Sequence, residues 1–598
     1  MYKRTVIIIV FVLNFQINAS GRNWYVGQVV FKGNNFLDRK SLLDHMRQKP
    51  SGHGHKVIYS FSELANDVIT LERLYKKYGF LKAQVNIGNI SRDSVKHKVA
   101  IVLNVNEGPQ FNVSSICFSG DYFFPADSIC RFIPLKSGKR FDSSLYAASV
   151  SVIKDSLAGH AFLLADVKSG CEADFQKNTI SVWYDIRKGP VVLAGDPVIA
   201  GLKKTKPVVV KRELRFKNGE PLTSQLINKA QKALYSTGLF SFIGIEPVDT
   251  LQKNICTDTV ELPVLLQLVE GNMFNISANA GYDQYEGFYG SAETLFRNLF
   301  GLGHEASLLA TLSQVAWNVQ ANYFYPYFAG SPLAANLNAY AERRYQQAFT
   351  GFFDGGEFTL SGLLGNNSVF RIWTDYERTE WIHYHIPPDQ ISQPPPNNTL
   401  LLGSGITYDT RRTLFRPGRA VYGYFDAEIA GPEHISYQFY RARADVRGYL
   451  PFANDLLSIS SAAFVGYING YGSDYGKVPV QQRFFVGING VRQIRGYNDS
   501  EVEPVDSAGV PIGGRFALIF NVFEFRFPIF WLLDGTVFTD AGYISPSFSS
   551  FSFSKIRWSA GPGILLDLPV GLIRLDYGIE LERREFEGRF VFNVGLPF

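Results

Sequence analysis

The pattern of apolar and polar residues divides the chain into two parts with different periodicities. In residues 22–270, segments with helical spacing are followed by segments that alternate as strands do. The first helical segment ends at Gly79 and carries four apolar residues on one face: Leu64, Val68, Leu71 and Tyr75. From Met273 to Phe598 the chain consists of short alternating segments broken by Gly, Asn, Asp and Pro. We therefore predict an α+β region followed by an all-β region.

The α+β region contains an internal repeat. Gly108, Gly189 and Gly271 recur at intervals of 81 residues (108 to 189) and 82 residues (189 to 271). Two further glycine series keep nearly the same period: Gly33, Gly120 and Gly201, and Gly79, Gly159 and Gly238. Each unit has the order strand, helix, helix, strand, strand. The repeat predicts three β-α-α-β-β modules at residues 22–108, 109–189 and 190–270.

The all-β region, residues 271–598, has the sequence pattern of a membrane barrel, with short alternating segments separated by turn residues. Sixteen strands would leave about 20 residues for each strand and turn, enough for membrane strands of about 9–11 residues. The last segment alternates cleanly, with five apolar residues on one face: Phe590, Phe592, Val594, Leu596 and Phe598. The residues between them are smaller or more polar. We predict a transmembrane barrel of sixteen antiparallel strands.

Composition and the N-terminus agree with export to a membrane. Aromatic residues make up 15% of the 598 residues, which suits strands that carry aromatic girdles. The net charge of +5 is small and no dense basic run occurs, so we expect no nucleic-acid partner. Lys3 and Arg4 precede an apolar run at residues 6–13, and small residues follow at 19–21. Residues 1–21 are therefore predicted to be a signal peptide.

Candidate chemistry is sparse. The chain has four cysteines: Cys117, Cys130, Cys171 and Cys256. They allow three patterns of disulfide pairing, and a Cys117–Cys130 bridge occurs in one of them. Their spacing matches no zinc site. Two His-x-His pairs, at residues 53–55 and 383–385, are interpreted as solvated histidines. No nucleophile elbow, phosphate loop or zinc-protease helix occurs. We expect no enzyme activity, no cofactor and no metal.

Two charges in the all-β region need partners, because a charge in a membrane-embedded segment must be paired or hydrated. One lies in Arg495-Gly496-Tyr497 and the other in Phe538-x-Asp540-x-Gly542. These motifs resemble those of the BamA/TamA superfamily of outer-membrane assembly factors. The resemblance implies that Arg495 folds back into the barrel and meets Asp540, which we call the lumenal lock. The family's paired glycines before this loop are not matched, since Ile488 follows Gly487.

The rest of the chain extends the resemblance. The modules resemble POTRA domains, and their number resembles the TamA arrangement more than the five modules of typical BamA. Residues 298–303, 409–418, 524–528 and 557–571 resemble turns and strands of the family's barrel. An exposed sheet edge in such a module can bind an extended segment by β-augmentation. Residues 325–328 are interpreted as an aromatic girdle, and Glu501, Glu503 and Asp506 as the solvated part of a long loop.

The resemblance implies an assembly, insertion or translocation factor in the bacterial outer membrane, with its modules in the periplasm. The expected partners are unfolded outer-membrane or secreted proteins, outer-membrane lipid, and a periplasmic or inner-membrane protein. The first and last strands would form a seam involving Gly281, Gly595 and Phe598, and the final aromatic residue resembles a barrel sorting signal. One alternative is a two-partner-type secretion pore that exports its client through the lumen. Another is a barrel that displays a hydrolase.

Overall fold

The computed structural model describes residues 24–51, 56–248, 257–283, 287–384, 398–413, 416–453, 456–487, 491–530, 532–568, 571–582 and 588–595. The predicted signal peptide and residues 53–55, His385, Cys256 and Phe598 lie outside these ranges. The chain forms two compact units. The first runs to Val198 and includes Leu214–Ala233 and Gly244–Leu266, and the second includes Ile199–Glu213, Leu234–Ile243 and the chain from Gln267. Within the described ranges, no helix is both long and apolar enough to cross a membrane.

The N-terminal region has the predicted order of elements in each module. The first module contains β1 (Tyr25–Lys32), α1 (Arg39–Asp44), α2 (Phe61–Lys77), β2 (Gln84–Asp93) and β3 (Lys98–Asn106). The second contains β4 (Asn112–Asp121), α3 (Ala126–Phe132), α4 (Ser143–Ala158), β5 (Asp166–Asp174) and β6 (Thr179–Arg187). The third contains β7 (Val191–Ala200), α5 (Pro207–Lys211), α6 (Ser224–Ser236), β8 (Phe240–Pro247) and β9 (Thr259–Glu270). The sheets have the strand orders β1-β3-β2, β4-β6-β5 and β7-β9-β8, which confirms the β-α-α-β-β prediction.

The first module shows why the sequence forms these elements. The hydroxyl of Ser60 accepts the N–H of Glu63 at 3.4 Å and caps α2, whose Leu64 and Leu71 are fully buried. Gly79 has a φ of +88°, and a Cβ there would lie 2.6 Å from the carbonyl oxygen of Phe141. The glycine therefore ends the helix and lets the chain approach the next module closely.

The C-terminal region forms the predicted closed antiparallel barrel, and sixteen strands contribute to it among the described residues. The first eight are β10 (Phe274–Asp283), β11 (Gly287–Leu299), β12 (His304–Ser313), β13 (Trp317–Tyr325), β14 (Ala334–Tyr345), β15 (Phe349–Leu363), β16 (Ser368–Tyr384) and β17 (Asn398–Asp409). The others are β18 (Ala420–Ala430), β19 (Phe439–Phe452), β20 (Leu457–Gly470), β21 (Phe516–Phe530), β22 (Leu533–Ser545), β23 (Arg557–Leu568), β24 (Gly571–Glu580) and β25 (Gly588–Gly595). A short helix, α7 (Asp499–Val502), lies between β20 and β21.

Side chains alternate between the outside and the lumen of the barrel. On β25, Phe590 and Phe592 are 66% and 40% exposed, whereas Val591 between them is 4% exposed. Most of the strands are longer than the predicted 9–11 residues, and the longest are β16 with 17 residues and β15 and β21 with 15 each. Phe349 at the start of β15 and Tyr384 at the end of β16 pack against the loop between β20 and β21.

Candidate functional site

The loop between β20 and β21, residues 471–515, is called the lumenal loop here, and much of its described part packs inside the barrel. Its Ile494 and Tyr497 are buried in one cluster with Phe464 of β20 and Ile519 of β21, both inward-facing. Farther along the wall, Phe485 lies 6.1 Å from Phe349 of β15, measured between ring centroids. The loop is therefore held by apolar contacts with two regions of the barrel wall.

Arg495 is the most highly connected charged residue of the lumenal loop. Its Nε and Nη2 donate to the two carboxylate oxygens of Asp540 at 2.6 and 2.7 Å. Its Nη1 donates to Glu524 at 2.8 Å and to Asp576 at 3.2 Å. The side chain is about 10% exposed. The pair of bonds between Arg495 and Asp540 has the bidentate arginine–carboxylate geometry that gives strong, directional hydrogen bonds.

Other side chains hold the carboxylates in place. Asn521 donates to Asp540 at 2.6 Å, and Arg574 donates to Asp576 at 2.6 Å and to Glu524 at 2.5 Å. Two guanidinium groups thus face three carboxylates in a buried cluster. Because burial makes an unpaired charge costly, each of these groups depends on the others.

The motif on β22 places its three residues on the lumen side through the strand period of two. The ring of Phe538 is fully buried, and the guanidinium carbon of Arg495 lies 3.4 Å from its centroid. Asp540 follows two residues later. At Gly542 a Cβ would lie 2.6 Å from the side chain of Ile519, so this position requires a glycine-sized residue.

The tip of the lumenal loop also touches the strands next to the barrel closure. Gly496 has a φ of +105° and packs against Gly578 of β24, where a Cβ would lie 2.5 Å from the carbonyl oxygen of Arg495. The hydroxyl of Tyr497 donates to the carbonyl of Trp558 at 3.0 Å. Arg589 of β25 hydrogen-bonds to Asn498. The loop tip therefore contacts β22, β23, β24 and β25.

The structure brings together all six residues of the predicted lumenal lock, namely Arg495, Gly496, Tyr497, Phe538, Asp540 and Gly542. Sequence reasoning missed Glu524, Arg574 and Asp576. The available signal was that each is a charged residue in an otherwise apolar strand, where it must face the lumen. The role of the cluster as a lock stays a prediction, although its geometry can hold the loop without any covalent chemistry.

The interpretation of Glu503 as a solvated residue is wrong. Its residue exposure is 6%, and its carboxylate accepts the N–H of Val486 at 3.3 Å. Burial raises the pKa of Glu503 well above its ordinary value, and nearby Asp499 raises it further. The side chain lies near Val486 and Asp499, a placement that a sequence pattern of loop residues does not reveal. Glu501 instead caps α7 by accepting the N–H of Asn498.

The barrel closes between β10 and β25, where the described residues form one register pair. This pair is Tyr282 with Val594, and the rings of Tyr282 and Phe592 lie 5.7 Å apart. By contrast, every residue of β10 has a partner on β11. At Gly281 a Cβ would lie 2.6 Å from the carbonyl oxygen of Val594, and Gly595 pairs with Leu572 of β24. Gly281 thus permits close approach of β25 at this seam.

Glu270, at the end of β9, organises the segment Ile199–Glu213 of the third module. Its carboxylate accepts the N–H groups of Lys203, Lys204 and Thr205 at 3.1, 3.0 and 2.8 Å. Burial alone would raise the pKa of Glu270, but these donors, Thr205 first, outweigh it and hold the pKa below its ordinary value. The negative charge therefore fixes the conformation of this segment.

The same segment contacts turns of the barrel that belong to the same compact unit. Asn298 donates to Thr205 at 2.8 Å, and the N–H of Lys206 donates to the carbonyl of Gly301 at 2.8 Å. The guanidinium carbon of Arg212 lies 4.4 Å from the ring centroid of Tyr327. Tyr327, interpreted from sequence as part of an aromatic girdle, thus also contacts the third module.

The cysteines and histidines add no site among the described residues. Cys117, Cys130 and Cys171 are exposed free thiols, so the Cys117–Cys130 bridge is not formed. In the part of the chain that the structure describes, no group of three or more His, Cys, Asp or Glu side chains is arranged to hold a metal ion.

Comparisons with known proteins agree with this architecture. A POTRA family model, described as a surface antigen variable number repeat, matches residues 24–108 and 195–271. The outer membrane protein assembly factor BamA of Nitratidesulfovibrio vulgaris is 25% identical over 553 residues, covering 90% of this chain and 68% of the relative. The BamA of Neisseria meningitidis serogroup B is 21% identical over 640 residues, covering 97% of this chain and 79% of the relative.

The fold is also similar to that of a solved structure. The crystal structure of BamA from Haemophilus ducreyi lacking POTRA domains 1–3 aligns with a TM-score of 0.66 and 18% identity, over 82% of this chain and 100% of that chain. The Omp85 superfamily domain matches residues 298–598, half of the chain, and includes the whole Arg495 cluster. The prediction of the BamA/TamA superfamily is confirmed, and the chain belongs to the Omp85 superfamily.

Proposed function

We propose that this protein assembles other β-barrel proteins in the outer membrane, by offering the seam between β10 and β25 to an incoming client strand. The relatives are named as outer membrane protein assembly factors. The barrel lies in the bacterial outer membrane and the N-terminal modules lie in the periplasm. Unfolded outer-membrane proteins are the clients in this proposal.

The pairing of the described residues at the seam is the observation that carries the proposal. Unpaired backbone N–H and C=O groups cost several kcal/mol each in lipid, so barrel strands resist separation in proportion to their pairing. Between the described residues of β10 and β25, separation breaks the pairing of Tyr282 with Val594 alone. A client strand that pairs with the parted edge satisfies those groups again. Burial of its apolar face supplies the remaining drive, so no nucleotide is required.

The modules supply a place for clients to bind before insertion. Each sheet has two edge strands, and β2, β5 and β8 each form one edge of their sheet. Such an edge binds an extended segment through main-chain hydrogen bonds with little sequence preference. We assign this role to the modules at residues 22–108, 109–189 and 190–270. A periplasmic or inner-membrane partner protein would bind the same region, as the resemblance to TamA predicts.

The lumenal lock has a separate task in this proposal. The Arg495 cluster holds the loop tip against β22, while Gly496 and Asn498 contact β24 and β25. The loop thereby supports the lumen face of the strands that lead to the seam. We infer that it keeps the barrel closed to solutes while the wall parts.

A disulfide across the seam tests the proposal. The register places Tyr282 opposite Val594, so Tyr282→Cys with Val594→Cys puts the Cα atoms within the range of about 4.4–6.8 Å that a disulfide requires. The four native cysteines are first replaced by serine. We expect the oxidised protein to lose its ability to support assembly of a reporter barrel, and reductant to restore it.

The control uses the same Val594→Cys substitution with Ile573→Cys, its partner on β24. This pair joins strands that are already fully paired, so oxidation should leave activity unchanged. Full activity of the oxidised Tyr282/Val594 pair would rule out insertion through the seam. It would instead favour the secretion pore, whose client crosses the lumen without parting the wall.

A further inference from the structure

The loop between β22 and β23, residues 545–556, has an unusual composition and is called the Ser/Phe loop here. It consists largely of serine and phenylalanine, with Phe548, Phe551 and Phe553 separated by serines. Phe548 and Phe553 are 63% and 77% exposed. Large apolar side chains exposed together mark a surface that contacts another apolar phase.

The Ser/Phe loop lies against the outer wall of the barrel. The ring of Phe548 is 6.0 Å from that of Tyr467 and 5.1 Å from that of Phe516. Tyr467 belongs to the outward row of β20, since Val465 in the same row is 38% exposed while Phe464 is fully buried on the lumen side. The loop is therefore continuous with the lipid-facing surface of the strands rather than with the lumen.

Neighbouring aromatic residues extend this surface. Phe551 is 4.9 Å from Phe516 and 5.2 Å from Phe553, and Tyr440 of β19 is 5.8 Å from Tyr467. The rim aromatic patch comprises Tyr440, Tyr467, Phe516, Phe548, Phe551 and Phe553. It spans the ends of β19, β20 and β21 and is covered by no other described element at Phe548 and Phe553. Aromatic side chains are characteristic of the boundary between lipid and water.

The polar groups of the Ser/Phe loop bond to one another. The hydroxyl of Ser545 donates to the carbonyl of Ser547 at 2.8 Å, and the Ser547 and Ser550 hydroxyls are 2.9 Å apart. The hydroxyls of Ser552 and Ser554 are 2.8 Å apart. Internal hydrogen bonding lowers the cost of moving hydroxyl groups out of water. The loop thus combines exposed rings with satisfied polar groups.

The direction of the strands places the Ser/Phe loop at the end of the barrel opposite the start of β10. β10 follows the third module, and strands alternate in direction, so the loop after β22 shares its end with the lumenal loop after β20. At the end of the Ser/Phe loop, Lys555 extends its ammonium group to 6.0 Å from the ring of Tyr543. A lysine at this level can reach lipid phosphates while its stem stays in the apolar layer.

We propose that the Ser/Phe loop is inserted into the outer leaflet of the membrane, where Phe548 and Phe553 lie at the boundary between the headgroups and the acyl chains. Lipid is favoured as the occupant because the patch continues the lipid-facing surface of β19–β21 without a break. The loop therefore anchors this side of the barrel at a fixed depth. The proposal requires a membrane-embedded barrel but does not require that the barrel assembles clients.

Spin-label accessibility tests the proposal on the full chain in phosphatidylcholine vesicles. The label is attached to Phe553→Cys, and separately to Phe548→Cys, after the native cysteines are replaced by serine. Collisions with oxygen, which concentrates in lipid, are compared with collisions with a water-soluble nickel chelate. Val446→Cys provides the lipid reference, because Val446 is 54% exposed on the outward row of β19. Ser507→Cys, in the exposed part of the lumenal loop, provides the aqueous reference.

We expect the ratio of oxygen to nickel collisions at residues 553 and 548 to exceed that at residue 507 several-fold and to approach that at residue 446. A ratio equal to that at residue 507 at both positions would show a loop in water and overturn the proposal. Low collision rates with both reagents would also overturn it, since they would show that protein, such as a second copy of this chain, covers the patch. Folding of each labelled barrel is checked by its resistance to unfolding in detergent before heating.

Discussion

Replacement of Arg495 by alanine should release the lumenal loop while leaving the barrel wall intact. Asp540 is 3% exposed and loses two short hydrogen bonds, but Asn521 still donates to it at 2.6 Å. Removal of one partner from a buried ion pair costs about 3–5 kcal/mol, and we expect the lower end because Asn521 remains. About 3 kcal/mol corresponds to roughly a hundredfold increase in the population of the released loop. The wall should persist, since Arg495 takes no part in the pairing of β21 with β22.

Limited proteolysis of folded Arg495→Ala barrels measures this release, because cleavage follows the population of the open form when opening is fast. Arg378→Ala is the control, since its ion pair with Asp354 is exposed on both sides and is worth about 0–1 kcal/mol. Arg495→Lys keeps the charge but loses the bidentate fork, so it should release the loop partially. Wild-type protease resistance together with full complementation of a deletion strain would refute the lock.

Three further predictions concern other parts of the chain. Gly578→Ala should displace the loop tip without changing a charge, because the added Cβ would lie 2.5 Å from the carbonyl oxygen of Arg495. Limited proteolysis should detect the displaced loop. Gly448→Ala is the control and should behave as wild type, since no atom lies within contact distance of its added Cβ. Deletion of residues 22–189 should leave a barrel that reaches the outer membrane but does not handle clients, and loss of the barrel from membrane fractions would contradict this division of tasks. The pKa of Glu270 is lowered from its ordinary value of 4.5, so its stabilisation of residues 203–205 should be present above pH 4.5 and lost as the pH falls through the lower folded value. Amide protection at residues 203–205, corrected for intrinsic exchange, should show this loss in the wild type, and Glu270→Gln should abolish the dependence on pH.

Sequence predicted the fold well because its signals are local and repeated. The order of elements in each module follows from the change between helical and alternating spacing, and Gly79 marks a helix end that the structure confirms. The contact of Arg495 with Asp540 was accessible through a family resemblance and through the cost of an isolated charge. The contacts of Arg495 with Glu524 and Asp576 could not be predicted in this way, because alternation gives the face of a strand but not the stagger between distant strands. Their meeting depends on the register of β21, β22, β23 and β24.

The error at Glu503 has a similar cause. Loop residues are usually solvated, and nothing in the local sequence shows that this loop turns into a barrel, where Glu503 is buried. The contact of Tyr327 with Arg212 could not be predicted for the same reason, because the two residues are distant in sequence. Contacts between a loop and a remote wall are set by the whole barrel, so they appear only when all strands are in place.

The distribution of contacts among the described residues bears on the proposed parting of the barrel at the seam. The free energy needed to separate two strands in lipid grows with the number of backbone pairs that lose their partners. Between β15 and β16, pairing continues from Phe349 opposite Tyr384 to Leu363 opposite Val369, whereas the described residues of β10 and β25 share the pair of Tyr282 with Val594. The lumenal loop adds contacts to β22, β24 and β25, which stiffens the wall up to the seam but does not bridge it through these contacts. Among the described residues, the proposed parting at the seam therefore breaks fewer backbone pairs than a parting between β15 and β16 would, and the hydrogen bonds of the Arg495 cluster lie outside it.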